Sequence, residues 1–426
     1  MNLRDFAAAL GPDPILDALS DWAGILHYLA GAAKGRPGLT VILDEFPYLT
    51  DGDPALPSVI QKFWNSDAPD AGRLNLVLCG SAISRMEDLP AEKNPLYGRK
   101  TMAMEVEPLP LRDAARFFPS YAPDEQIAAY AVFGGIPYYL RLCDPDAGLE
   151  CNVVELLLTP SAPLIDEPMF LLQSEVRGVQ RYASIVAAIA DGGTKLGDTA
   201  GRVREVSDVR GLGPYLEGLI RMRVVRSVRS LDATERERDR RYVVADPLFA
   251  FWHRFVRPNI STVVRGFGAE VWRHQIAPHF AGHMGLGFEE ICREHARQHA
   301  QERLPAPAQE VGQIWAGDFD IDVAGRLLDG TALFGECKWW SGPVGEGVLD
   351  GLAARAARSG YEAKAPRRAF ALYSKSGFSD AVLARAEGDP LLALHTPASI
   401  LGTEAAGRVR RPGKPGRRTA RRGGGA

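Results

Sequence analysis

The stretch that decides the fold runs from Gly317 to Trp340 and reads GDFDIDVAGRLLDGTALFGECKWW. Phe319, Ile321 and Val323 alternate with Asp320 and Asp322; Leu333 and Cys337 alternate with Glu336 and Lys338. Period-two alternation sends one set of side chains to each face of an extended ribbon. It predicts two strands with one apolar face and one face carrying two aspartates, a glutamate and a lysine. The connection sets the register. A two-residue turn at Asp329-Gly330 would put Asp322 opposite Cys337 and Glu336 on the wrong face, whereas a three-residue loop ending at Gly330 puts Asp322 opposite Glu336. That loop needs a positive φ, which Gly330 supplies without steric cost, so a bulged turn is expected there.

Two carboxylates facing one point suit Mg²⁺, a hard cation that takes oxygen ligands and keeps several waters. A lysine beside them can orient water and stabilise charge on a phosphate oxygen. The alternative reading is a solvated outer face with an ordinary ion pair. At these positions the chain resembles the PD-(D/E)xK nuclease superfamily, with Asp322 as the metal aspartate and Glu336-Cys337-Lys338 as the E-x-K. Upstream, GHMGLGFEEICREHARQH resembles the first helix of that superfamily, and Glu289 fits its acidic position. The resemblance implies a restriction-endonuclease-like α/β fold, with Asp322 and Glu336 as metal ligands and Asp322, Glu336 and Lys338 as catalytic residues. The same fold also persists without hydrolysis.

Outward from this ribbon, 426 residues predict two to three domains. A net charge of −3 excludes a global polycation, so nucleic-acid affinity would come from local patches. Cys79, Cys143, Cys151, Cys292 and Cys337 form no C-x-x-C pair and no zinc spacing. Their apolar neighbours predict buried, reduced thiols. MNLRDFAAAL lacks the apolar core of a signal peptide, and no apolar run reaches a membrane span. A cytoplasmic protein with no membrane partner is expected.

Residues 1–170 open with helical patterns and reach LTVILDEFPYL, an apolar run that reads as a buried parallel strand ending in Asp44-Glu45. Ligands and metals bind at such carboxyl ends. Asp44-Glu45 matches a Walker B motif, in which Asp44 holds Mg²⁺ through water and Glu45 polarises the attacking water; a capping Asp after a core strand is the alternative. LNLVLCGS supplies a second buried strand ending at Gly80-Ser81, and a third is expected at Met102–Val106 after Arg99. FGGIPYYL resembles a lid segment. Together these residues resemble the predicted archaeal and bacterial AAA-like ATPase family, whose members often carry a winged helix and an endonuclease-like C-terminal domain. The resemblance implies ATP and Mg²⁺ as cofactors, Ser81 in the sensor 1 position, and Arg99 as an arginine finger acting on a neighbour in a homo-oligomer.

No Gly-x-x-x-x-Gly-Lys-Ser/Thr occurs in the chain, so nothing supplies an amide cradle and lysine for the β- and γ-phosphates. In the family that loop precedes the segment that starts here at Met1. An in-frame upstream extension is expected to carry it, because Asp44-Glu45 and Arg99 are intact; the alternative is a remnant that cannot turn over ATP.

Residues 171–262 read as helix, helix, helix and a two-stranded wing, a winged helix-turn-helix pattern. Arg210 and Tyr215 on the third helix and Arg226 in the wing could reach DNA; the alternative is an intramolecular adapter. Residues 263–402 form the nuclease-like domain. His274, His279 and His283 lie there without a common face, since Pro278 and Gly282 interrupt it. The tail, 403–426, is rich in Gly, Pro and Arg; it predicts disorder, with either added affinity for nucleic acid or mere solubilisation.

Overall fold

The computed structural model describes residues 6–404 except 9, 37, 67–73, 82, 90–92, 204–208 and 234–239. The tail from 405, and the charged turn of the wing with Arg236 and Arg238, lie outside the described residues. The chain forms two compact units: Met1–Glu107 with Leu171–Arg177 and Glu217–Met222, and Pro108–Phe170 with Gly178–Leu216 and Arg223–Ala426.

In the first unit, Asp21 caps helix α1 (Trp22–Gly35) by accepting the Gly24 N–H at 2.7 Å. Strand β1 (Leu39–Leu43), helix α2 (Phe46–Gly52), helix α3 (Leu56–Ser66) and strand β2 (Leu74–Leu78) follow. β1 and β2 pair in parallel, Leu39 opposite Leu74 through Leu43 opposite Leu78. Val41 and Leu43 join Ile25, Leu26, Leu29, Ile60 and Phe63 in one core. The continuous apolar runs predict burial on both faces. The structure buries only one: Ile42 is 58% and Val77 42% exposed. The third strand expected at Met102–Val106 does not form. These residues carry no ladder and their side chains are exposed, because a strand needs a partner for its N–H and C=O groups and neither edge of the two-stranded sheet takes this segment.

The second unit begins with an apolar helical layer that includes α4 (Pro123–Phe133). Helices α5 (Val179–Ala190) and α6 (Leu196–Arg202) and the helix Gly213–Arg221, whose residues from Glu217 on belong to the first unit, precede β3 (Val225–Arg229) and β4 (Arg240–Val244). These two strands form an antiparallel pair, joined at one edge by a bridge from Lys195 to Arg241. Helix α7 spans 247–264 and carries a π turn at Trp252–Val256; helix α8 (Ala277–His299) is preceded by a second π turn at Trp272–Ile276.

The rest is a five-stranded sheet, β5 (Ala308–Ala316), β6 (Phe319–Leu327), β7 (Ala332–Lys338), β8 (Arg368–Ser374) and β9 (Leu392–His395), in that spatial order. β5, β6 and β7 run antiparallel, and β7, β8 and β9 parallel. The parallel crossovers carry α9 (Glu346–Ser359) and α10 (Asp380–Gly388). The β6–β7 register matches the expectation: Val323 faces Gly335 and Arg326 faces Ala332. The loop is the expected three residues, with Gly330 at φ 82° and the Leu327 N–H donating to the Thr331 carbonyl.

The faces differ from the expectation. Val323, Leu327, Leu333 and Cys337 pack with Met284, Phe288 and Ile291 of α8. Ile321, Ala324, Ala332 and Phe334 pack with Leu349, Leu352 and Ala356 of α9. The ribbon therefore has no solvated face, and helices cover it on both sides. Ile321 and Val323 also part company. On the other edge of β6, Gly312 faces Ala324 but Ile314 faces Ile321, so Asp322 and Val323 together oppose Gln313. This bulge breaks the alternation at Asp322.

Candidate functional site

Asp322 sits on the bulge at the point where the β6–β7 ladder stops. Its Oδ2 accepts the Cys337 N–H at 2.8 Å, and its own carbonyl accepts from Arg293 of α8 at 2.8 Å. A carboxylate here replaces a strand carbonyl as acceptor, so the strand end is held by a side chain. The close approach of β7 requires Gly335: a Cβ there would come within 2.9 Å of Val323 Cβ and 3.1 Å of the Ala371 carbonyl.

Glu336 is buried and its carboxylate is held by two cations. Lys338 Nζ donates to Oε1 at 2.6 Å, and Arg355 of α9 donates to Oε2. Burial works against the Lys338 charge, but the bonded Glu336 outweighs it and raises the Lys338 pKa. Lys338 also lies 5.8 Å from the ring centroid of Trp340, which is 45% exposed. Lys375 lies 5.2 Å from the neighbouring Trp339 ring.

Glu289 reaches the same locality from α8. Burial, then the Asp322 charge, lift its carboxyl to about 7, against the pull of Arg293. Asp322 is lifted to about 6 by burial and then by Glu336, with the Cys337 N–H and Lys338 opposing. Its neighbour Glu290 goes the other way: despite burial, Arg293 and Arg226 hold it at about 2. The site thus separates acidic groups bonded to two cations each, Glu336 and Glu290, from Asp322 and Glu289, which burial lifts even though Arg293 lies 3.7 Å from Glu289. A carboxylate pair lifted in this way suits a divalent cation. Among the described residues, however, no three His, Cys, Asp or Glu side chains are placed to hold a metal ion, and the third carboxylate, Glu336, is ion-paired with Lys338 and Arg355.

The first unit assembles a smaller group. Glu45 is the residue before α2 and has φ 52°, a left-handed conformation uncommon for a non-glycine residue. Ser81 donates to the Glu45 carboxylate at 3.1 Å, while Asp44 Oδ1 accepts the Glu45 N–H at 3.0 Å and the Cys79 thiol at 3.2 Å. Among the described residues, Arg99 makes its hydrogen bonds elsewhere. Its guanidinium bonds Asn65 Oδ1 and the Pro95 and Tyr97 carbonyls.

The three residues expected to meet DNA are spread out. Arg210 has its backbone in the one-turn helix Val209–Leu212, and its side chain lies outside the described residues. Tyr215 packs edge-on to Tyr182 and accepts a hydrogen bond from Arg181. Arg226 is ion-paired with Glu290 at 2.9 Å. Of the five thiols expected to be buried, Cys143, Cys292 and Cys337 are, Cys79 is only half-buried, and Cys151 is exposed, on the helix Leu149–Leu157 beside Glu155.

Arg293 and Arg355 were not among the sequence candidates. Each sits on a helix remote in sequence from its carboxylate partner, and nothing in the local pattern of α8 or α9 marks it. Strand β5 was missed as well, because pairing with a bulged partner leaves it no clean alternation.

Comparison with known proteins finds three similarities. The model of DUF234, a family of archaeal and bacterial proteins of unknown function, matches residues 252–347, a span containing Glu289, Asp322, Glu336 and Lys338. An uncharacterized protein of Methanocaldococcus jannaschii is 29% identical over 349 residues, covering 79% of this chain and 75% of that protein. Among solved structures, a Walker-type ATPase of Pyrococcus abyssi is 22% identical with a TM-score of 0.41, covering 59% of this chain and 69% of that one. No helix among the described residues is long and apolar enough to cross a membrane.

Proposed function

We propose that the chain is an ATPase-family protein that engages DNA and couples nucleotide state to a metal-dependent, PD-(D/E)xK nuclease-like module in its second unit. The observation that carries this reading is the convergence at the end of β7: Asp322 on a bulge, Glu336 and Lys338 on the paired strand, and Glu289 from α8, with two of the three carboxyls, Asp322 and Glu289, lifted by burial and then by neighbouring negative charge. The helix, the antiparallel strands and the parallel crossover that frame this point agree with a restriction-endonuclease-like core. Asp322 and Glu289 would hold Mg²⁺, joined by Glu336 once it leaves its ion pairs. The ion would supply Lewis acidity and a water of lowered pKa. Lys338 would balance charge on a phosphate oxygen, and Trp340 offers a ring on which an unpaired base can stack.

In the first unit, the Asp44–Glu45–Ser81 contacts support a nucleotide-responsive carboxylate of the Walker B kind, with Mg²⁺ held through water at Asp44. Arg99 would serve a neighbouring subunit in a homo-oligomer. Arg210 and the basic tail would add phosphate contacts.

The test is Mg²⁺- and Mn²⁺-dependent cleavage of plasmid and single-stranded DNA by the full chain, with and without ATP, against Asp322→Ala and Glu336→Ala. Loss of cutting in both variants supports the assignment, and undiminished cutting in either one overturns it. A second reading is favoured by one observation. Glu336 is already satisfied by Lys338 and Arg355, as expected of a non-catalytic nuclease fold in a nucleotide-switched or DNA-binding protein. Absence of both Mg²⁺ binding and cleavage in the native chain selects it.

A further inference from the structure

Between α5, α6 and the π turn of α7 lies a cavity of about 490 Å³ that the nuclease-like site does not use. Arg254 and Arg257 of α7 line it, with Arg202 from the end of α6 at the rim. Among the described residues that line it, the one acid, Asp191, is ion-paired with Arg202 at 2.9 Å, so the described lining has more cationic than anionic side chains. Arg257 donates to the Ala183 carbonyl at 3.3 Å and Ser184 Oγ at 3.4 Å, which fixes its guanidinium against α5. Arg254 lies 5.3 Å from the Phe255 ring centroid.

His253 is the telling group. It lines the same cavity yet is only 1% exposed, and neither ring nitrogen has a hydrogen-bond partner among the described residues. A neutral imidazole always presents one donor and one acceptor, and leaving both unmet in the interior costs free energy. Burial, then Arg257, lower its pKa to about 3, so it stays neutral beside two cations. An unpartnered neutral imidazole sharing a cavity wall with guanidiniums is an arrangement that suits an anion. The π turn that carries His253 and Arg254 is a form of helix found frequently at functional sites.

We propose that this cavity is a binding site for a small phosphate-bearing ligand, held by Arg254 and Arg257, with His253 donating to it from the floor. The cavity is concave and falls in the roughly 300–1,000 Å³ range of small-molecule sites, whereas contact with a DNA backbone calls for an extended basic track. Ala187, Ala188 and Pro258 provide an apolar wall for the organic part.

The test is thermal shift and calorimetric titration of the full chain with inorganic phosphate, pyrophosphate, AMP and ADP, using sodium chloride at matched ionic strength as control. Saturable stabilisation by at least one phosphate probe is expected, and none by chloride. Arg254→Gln should weaken that binding about tenfold or more, the share of one charge-assisted hydrogen bond, with the melting temperature without probe unchanged. His253→Phe should weaken it too while keeping the floor filled. The proposal is overturned if no probe binds saturably, if Arg254→Gln binds as tightly as the native chain, or if duplex DNA alone occupies the site.

Discussion

Replacing Asp322 by Asn should make the protein more stable at pH 8 and leave it unchanged near pH 4. The folded Asp322 carboxyl has a pKa of about 6 against 3.8 for the free side chain. Between those values the folded chain binds more protons than the unfolded one, so stability falls as pH rises, and the loss is complete above the folded value. Linkage sets the loss at no more than about 3 kcal/mol. The site is half-buried, and solvent screening brings this to about 1–2 kcal/mol. The amide Oδ1 can still accept the Cys337 N–H that Asp322 accepts at 2.8 Å, so the strand end stays closed. Removing the charge also relieves Glu289, whose carboxyl should return toward its ordinary range. For a unit of this size the gain corresponds to roughly 2–4 °C per kcal/mol in melting temperature. Calorimetry of both chains from pH 4 to pH 8 reads it. Saturating Mg²⁺ should raise the melting temperature of the native chain and not that of the variant. A variant less stable than the native chain at pH 8, or a gap that does not narrow on acidification, would refute the reasoning.

Three further outcomes are expected. Gly335→Ala should cost about 1–3 kcal/mol, because its Cβ meets Val323 Cβ at 2.9 Å and the Ala371 carbonyl at 3.1 Å; urea titration measures it, with parallel loss of any Mg²⁺-dependent stabilisation. Glu45→Gly should be neutral or stabilising by up to about 1 kcal/mol, since φ 52° suits glycine, although Ser81 loses its carboxylate acceptor; a clear fall in the urea midpoint would mean that contact outweighs the backbone strain. His283 is buried among Phe251, Phe255 and Phe280, and burial lowers its pKa to about 4 from 6.5. Its contribution is intact above pH 6.5 and is lost as pH falls toward 4, by at most about 3 kcal/mol, so His283→Phe should flatten the acid limb of a stability–pH curve.

The residues of the β6–β7 ribbon by themselves determined its register. Side-chain alternation has a period of two and the loop admits few lengths, so Gly330 and the acidic positions leave one pairing that sets Asp322 against Glu336. The helix bearing Glu289 and the parallel strand before Asp44 were legible for the same reason: their signals are local and periodic. What surrounds them was decided by tertiary structure. The bulge that parts Ile321 from Val323 arises from pairing with β5, which alternation on β6 alone does not encode. Arg355 and Arg293 reach their acidic partners from other elements, and a lone arginine on a helix carries no mark of the charge it will meet. The segment Met102–Val106 shows the converse. It has an extended pattern but finds no strand edge, because a β-strand is completed by hydrogen bonds from a neighbour and not by its own sequence.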